Sequence, residues 1–149
     1  MSEENSIQPG YLENLSTPIL TINKDFGIQC MNKSGADLVG INQKDLIGKK
    51  CYELLKTGHC NTEHCVSAIA MKNNRKVTDE TDSHTSNKNL PIMNTGAPVK
   101  DKTCKVIGAL EFIADISKIK VIQNYLADST KSIRKDCSRL MVMNKMFFL

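Results

Sequence analysis

The chain has 149 residues, 40% of them hydrophobic and 24% charged, which suits one soluble domain with an appended element. Its formal net charge of +4 is too mild to point to nucleic acid, and no stretch approaches the roughly 18 consecutive apolar residues of a membrane span. Tryptophan is absent and aromatics make up 5%, so the core must be mostly aliphatic.

Residues 1–10, MSEENSIQPG, read as a polar leader with neither a basic n-region nor an apolar h-region. Six cysteines without an export signal are expected as reduced thiols or ligands, which argues for a cytoplasmic protein. A helical turn is expected over Tyr11–Leu15, then a strand over Pro18–Asn23. Lys24-Asp25-Phe26-Gly27 signals a turn, with Asp25 and Gly27 suited to positive φ, and Ile28–Met31 returns as the second strand of a hairpin. Asn32 is placed to cap a short helix over Ser34–Val39, which Gly40 ends. One-turn helices follow over Asn42–Gly48 and Lys50–Leu55. Asn61 or Thr62 is placed to cap a longer helix to about Asn73, with Cys65, Val66, Ala68, Ile69 and Met71 as its apolar face. Three strands are expected over Lys76–Thr85, Asn89–Val99 and Cys104–Ile116. With the hairpin this makes five strands and a cluster of helices between them: an α+β fold with an antiparallel sheet and helices on one face.

The densest chemistry lies in CYELLKTGHCNTEHC, where Cys51, Cys60 and Cys65 interleave with His59 and His64. Thiolates and imidazoles are soft and borderline metal ligands, and thiols are redox-active. The spacing C-x8-C-x4-C lacks the paired C-x2-C knuckles of zinc fingers. The candidate cofactor-binding set is Cys51, Cys60, Cys65 and His64, and the candidate metal set is Cys51, Cys60, Cys65 and His59. Packing of Cys65 as a small hydrophobe beside Ile69 is the plainer alternative. The strand Lys76–Thr85 has almost no apolar side. It reads either as a polar pocket wall, presenting Thr78, Glu80, Asp82 and His84 or the alternate set Asp79, Thr81 and Ser83, or as a short solvated edge segment. No nucleophile elbow, phosphate loop or H-E-x-x-H is present, so an enzyme is not expected.

Pro18–Asn23, Gly27-Ile28, Met31–Ala36, Leu38–Gly40 and Leu46–Leu54, with Val106–Phe112 and Asp115-Ile116-Ser117, stand in the order and at the intervals of a PAS domain. Over residues 11–117 the chain resembles the sensory PAS modules of archaeal and bacterial histidine kinases and chemotaxis receptors. The resemblance implies a five-stranded PAS sheet, with a ligand cavity between its inner face and the helix read here as 61–73. Cys51, Cys60 and Cys65 match a PAS subgroup with Cys-Tyr at the short helix and two further cysteines at the start of the next helix. No single cofactor follows: iron–sulfur, heme and zinc stay open. Flavin is disfavoured, because Lys50, Tyr52 and Leu55 stand where light-sensing relatives carry Asn, Arg and Gln.

From residue 118 to 149 the pattern is helical. Ile119, Leu126, Ile133, Leu140 and Phe147 recur every seven residues, while the second series, Ile122, Ser129, Asp136 and Met143, is half polar. This is the pattern of a weak coiled coil and suits a signalling helix. The expected function is a cytoplasmic sensory domain that detects a small ligand, cofactor or redox state. It would relay this through the C-terminal helix, as a homodimer, to a kinase or chemotaxis-type module, with no nucleic-acid partner. A ligand-free protein–protein interaction module and a thiol-based redox or metal sensor are the alternatives.

Overall fold

The computed structural model describes residues 9–86 and 88–147 of the chain. The polar leader falls outside the described residues except for Pro9 and Gly10, which open helix α1 (Pro9–Glu13) instead. Proline suits a first helical position because its missing N–H would have no partner there. The chain divides into two compact units, Met1–Asp115 and Ile116–Leu149.

The first unit holds five strands: β1 (Ile19–Asn23), β2 (Ile28–Met31), β3 (Val77–His84), β4 (Asn89–Lys100) and β5 (Val106–Asp115). They form one sheet in the order β2-β1-β5-β4-β3, every neighbouring pair antiparallel. Between β2 and β3 lie α2 (Lys33–Val39), α3 (Gln43–Leu46), α4 (Cys51–Leu55) and α5 (Val66–Asn73). The α+β expectation is borne out. The core is aliphatic, with Leu20, Ile22, Ile28, Val39, Leu46, Leu55, Ile92 and Ile113 all buried and Cys51 among them.

Asn32 caps α2 as expected, and Gly40 ends it in the left-handed conformation, φ 73°. The β1–β2 turn differs from expectation: its left-handed residue is Phe26, φ 62°, and not Asp25 or Gly27. The reason is Asn23, whose Oδ1 accepts from the N–H groups of Asp25 at 3.0 Å and Gly27 at 2.9 Å. That side-chain bridge takes over the turning role.

The larger correction concerns the helix expected from residue 61. Helix α5 begins only at Val66, with Cys65 as its N-cap residue. Asn61 has φ 57°, which a right-handed helix does not admit. Residues 57–65 form successive turns, in which Cys60, Thr62 and Cys65 donate their N–H to the carbonyls of Thr57, His59 and Thr62. The buried face of α5 is Val66, Ser67 and Ala70, so a serine points inward where the sequence pattern favoured Ala68 and Ile69.

Strand β3 is an edge strand, which bears out the solvated-edge reading in part: Glu80 and Asp82 are exposed. The end of α4 and the turn that follows it cover the edge. Gly58 donates to the Asp82 carbonyl at 3.1 Å, His84 to that of Lys56 at 3.3 Å, and the Ser83 hydroxyl to that of Leu55 at 2.9 Å. The second unit is α6 (Ser117–Phe147), a single 31-residue helix.

Candidate functional site

A cavity of about 210 Å³ lies among the β1–β2 turn, α4, the 57–65 turns, the start of α5 and the inner face of β3–β5. Each element contributes for a local reason. The left-handed Phe26 brings its ring against Tyr52 on α4, edge to face at 6.3 Å between centroids. Cys51 and Leu55 face inward from the same helix and are buried. The turns supply Thr57, His59 and Cys60, the start of α5 supplies Cys65, Val66 and Ala68, and the inward set of β3 supplies Asp79 and Thr81.

The buried end of the cavity is polar. Glu111 sits on β5 between Ala109 and Ile113, all three buried at alternate positions. Residue 94 on β4 pairs with residue 113, so Asn94 is diagonal to Glu111 on the same face. Asn94 Nδ2 donates to Glu111 Oε1 at 2.5 Å, and the Ser67 hydroxyl donates to Oε2. Burial pushes the Glu111 carboxyl above its ordinary range, against the opposing effect of these two hydrogen bonds. Asn94 Oδ1 is buried and accepts from no group among the described residues.

Ser67 reaches Glu111 because Gly96 lets α5 approach β4. A Cβ at residue 96 would lie 2.8 Å from the Val66 carbonyl group and 2.9 Å from the Ser67 nitrogen. These are backbone atoms, so only glycine fits without moving the helix.

Cys51, Cys60, Cys65 and His59 all line this cavity, as their sequence clustering suggests. His64 does not; its ring lies 5.5 Å from that of His59 and is largely exposed. Among the described residues no group of three or more His, Cys, Asp or Glu side chains is gathered so as to hold a metal ion. His59 Nδ1 is buried and lies 3.4 Å from Asp79 Oδ2 without hydrogen-bond geometry, while the Asp79 side chain stays largely open to solvent. The Cys60 sulfur accepts from the Thr57 N–H at 3.3 Å.

Burial pushes the Cys51 thiol well above its ordinary range, with the nearby Glu111, Cys65 and Cys60 adding to the effect. Burial raises the Cys65 thiol too, although the Ala68 and Ser67 N–H groups at the start of α5 oppose the shift. The thiolate is the redox-active and ligating form, so these two cysteines are held in their inert state at neutral pH.

Sequence reasoning missed Glu111, Asn94 and Ser67. The signal for Glu111 was present: a lone acid at an inward position of the apolar run Val106–Ile113.

Comparison with known proteins agrees with this fold. A family described as the PAS fold matches residues 12–120, and the chain belongs to it. No curated protein sequence matches. Among solved structures the chain is similar to the PAS domain of a Colwellia psychrerythraea protein, at 22% identity and TM-score 0.63, covering 73% of this chain and 93% of that one. It is similar to the PAS domain of nitrogen regulation protein NR(II) from Vibrio parahaemolyticus, at 15% identity and TM-score 0.59, covering 75% of this chain and 100% of that one. It also resembles VqmA of Vibrio cholerae, solved with ligand and DNA, at 15% identity and TM-score 0.64, covering 87% of this chain and 60% of that one. At these identities the likeness establishes the fold.

Proposed function

We propose that this chain is a sensory PAS module that binds a small molecule in the cavity beneath α4 and α5 and relays its presence along β5 into α6. The carrying observation is the cavity itself: about 210 Å³, walled by apolar and aromatic side chains, with a few convergent polar groups at its buried end. Its volume is below the roughly 300 Å³ lower end for drug-sized ligands, which favours a small metabolite. Glu111 supports the relay, because it lines the cavity from β5, the strand that leads directly along the chain into α6. A ligand that rearranges the hydrogen bonds of Glu111 therefore acts on the last strand before the helix. The protonated state of Cys51 and Cys65 weighs against thiol switching as the signal.

The test is a thermal-shift screen of small metabolites against the wild-type chain and Ala68→Phe, which fills the cavity. Ligands at about a hundredfold excess over Kd raise the wild-type melting temperature by several degrees and leave the variant unmoved. A screen in which no compound shifts the wild type, or every hit shifts both proteins alike, ends this reading.

The output side of the proposal is a parallel pairing of α6 from two copies, ahead of a kinase or chemotaxis-type partner. Ile119, Leu126, Ile133 and Leu140 are exposed along this helix at heptad spacing. In sedimentation, the intact chain is expected to dimerise at micromolar concentration and Leu126→Asp with Ile133→Asp to be monomeric. A wild-type monomer at high micromolar concentration overturns the pairing. Among the described residues no helix is long and apolar enough to cross a membrane.

A further inference from the structure

We propose that the cavity selects a small organic cation, a protonated amine with a compact apolar body, whose N–H groups bind Glu111 and the unpartnered Asn94 Oδ1. The inference rests on the ligand-sensing reading above and names the class of ligand.

The hydrogen-bond inventory at the buried end decides the sign. Asn94 Nδ2 and the Ser67 hydroxyl, the donors there, are both committed to the Glu111 carboxyl. The commitment of Nδ2 also fixes the orientation of the Asn94 amide, which leaves Oδ1 as a buried acceptor with no donor. What this end offers a ligand is therefore acceptor capacity: Asn94 Oδ1 and the remaining lone pairs of Glu111. A buried acceptor left unpaired is costly, and a ligand that brings N–H groups removes that cost.

The charge inventory agrees. Among the described residues no lysine or arginine lines the cavity, whereas Glu111 and Asp79 do. The other ionisable groups on its wall are His59, which sits beside Asp79, and Cys51, Cys60 and Cys65. Glu111 is buried with two hydrogen-bond donors and, among the described residues, no counter-charge. Such a carboxylate is unfavourable alone and favourable once a cation joins it. An anionic ligand would meet two acids and, among the described residues, no lysine or arginine; the imidazole of His59, at the Asp79 side of the cavity, is the one basic group it could reach.

The walls agree on the rest of the ligand. Tyr52 and Phe26 present aromatic surface, and a cation near such rings gains a further attraction. Leu55, Val66 and Ala68 suit an apolar body. The cation pairs with the ionised carboxylate of Glu111, and no covalent bond changes.

Three probes of one shape test this on the full chain by calorimetry and melting: benzylamine, benzyl alcohol and benzoate, with Glu111→Gln and Ala68→Phe as variants. Benzylamine is expected to bind about tenfold or more tightly than benzyl alcohol, because its hydrogen bonds are charge-assisted, and benzoate is expected not to bind. Glu111→Gln should lose that advantage of the amine, and Ala68→Phe should lose both ligands. If benzyl alcohol or benzoate binds as well as benzylamine, and Ala68→Phe abolishes the binding, the cavity is a ligand site and the cation inference is wrong. If none of the three binds, the cation inference falls, and the broader screen decides the sensing reading separately. The comparison on the unaltered chain stands even where Glu111→Gln fails to fold.

Discussion

Asn32→Ala is expected to remove about 3–4 kcal/mol of stability, a large fraction of what a domain of this size possesses. Asn32 is 1% exposed and its side chain ties three segments together. Its Oδ1 accepts from the N–H groups of Gly35, capping α2, and of Ile19, at the start of β1, both at 3.0 Å. Its Nδ2 donates to the carbonyls of Thr17 at 2.9 Å, Leu12 at 3.0 Å and Leu15 at 3.4 Å. Alanine deletes the cap and strands several buried backbone groups at once. Asn32→Asp should fare little better, because it keeps the acceptor but sets a carboxylate against three carbonyl oxygens. Urea denaturation measures both. A loss below about 1 kcal/mol for alanine would show that water replaces these bonds at little cost.

Glu111→Gln is expected to stabilise the ligand-free protein at pH 7 to 8, on the order of 1–3 kcal/mol, the cost of a buried ionisable group without a counter-charge. Burial raises the carboxyl of Glu111 above its ordinary value of 4.5, so the folded chain holds this proton more tightly than the unfolded chain does. Stability therefore falls as pH rises from about 4.5 through the raised value, and the glutamine variant does not share that loss. Below about pH 4.5 the wild-type residue is protonated in both states and the two proteins should melt together. The amide is nearly isosteric: its oxygen accepts from Asn94, and the Ser67 hydroxyl turns to accept from its nitrogen. Parallel melting curves for the two proteins from pH 4 to 8 would show that Glu111 ionises freely. A stabilised variant that also fails to favour benzylamine would join both halves of the argument, since the group that costs stability when empty is the one that recognises the cation.

The elements that were legible in the sequence are those whose signals are local. Asn32 and Gly40 bracket α2 by cap chemistry, and the β-branched run Ile19–Asn23 with the turn residues Lys24–Gly27 shows the hairpin that Ile28–Met31 completes. The cysteines of the 51–65 segment were singled out by proximity along the chain, and the structure does bring Cys51, Cys60, Cys65 and His59 to one cavity. What was not legible depends on pairing across the chain. That Asn94 stands diagonal to Glu111 follows from the β4–β5 register, which no local pattern encodes. The late start of α5 was misjudged because Asn61 and Thr62 are good caps in isolation, while the left-handed Asn61 and the turns bonded through Thr57 and His59 keep the chain from coiling there. Ser67 was overlooked because a serine on an amphipathic helix reads as solvent-facing until its partner on β5 is known.

Gly96 carries a consequence for the heredity of this site. It faces Glu111 across the β4–β5 ladder, and its missing side chain lets the backbone of Val66 and Ser67 lie against the strand. A larger residue there must lift the start of α5 and withdraw a hydroxyl from the buried carboxyl. Positions 96 and 111 are thus linked although one has no side chain to touch the other: a drift at the first changes what is tolerable at the second. A lineage that enlarged residue 96 would find an acid at 111 harder to keep, and with it whatever chemistry that acid recognises.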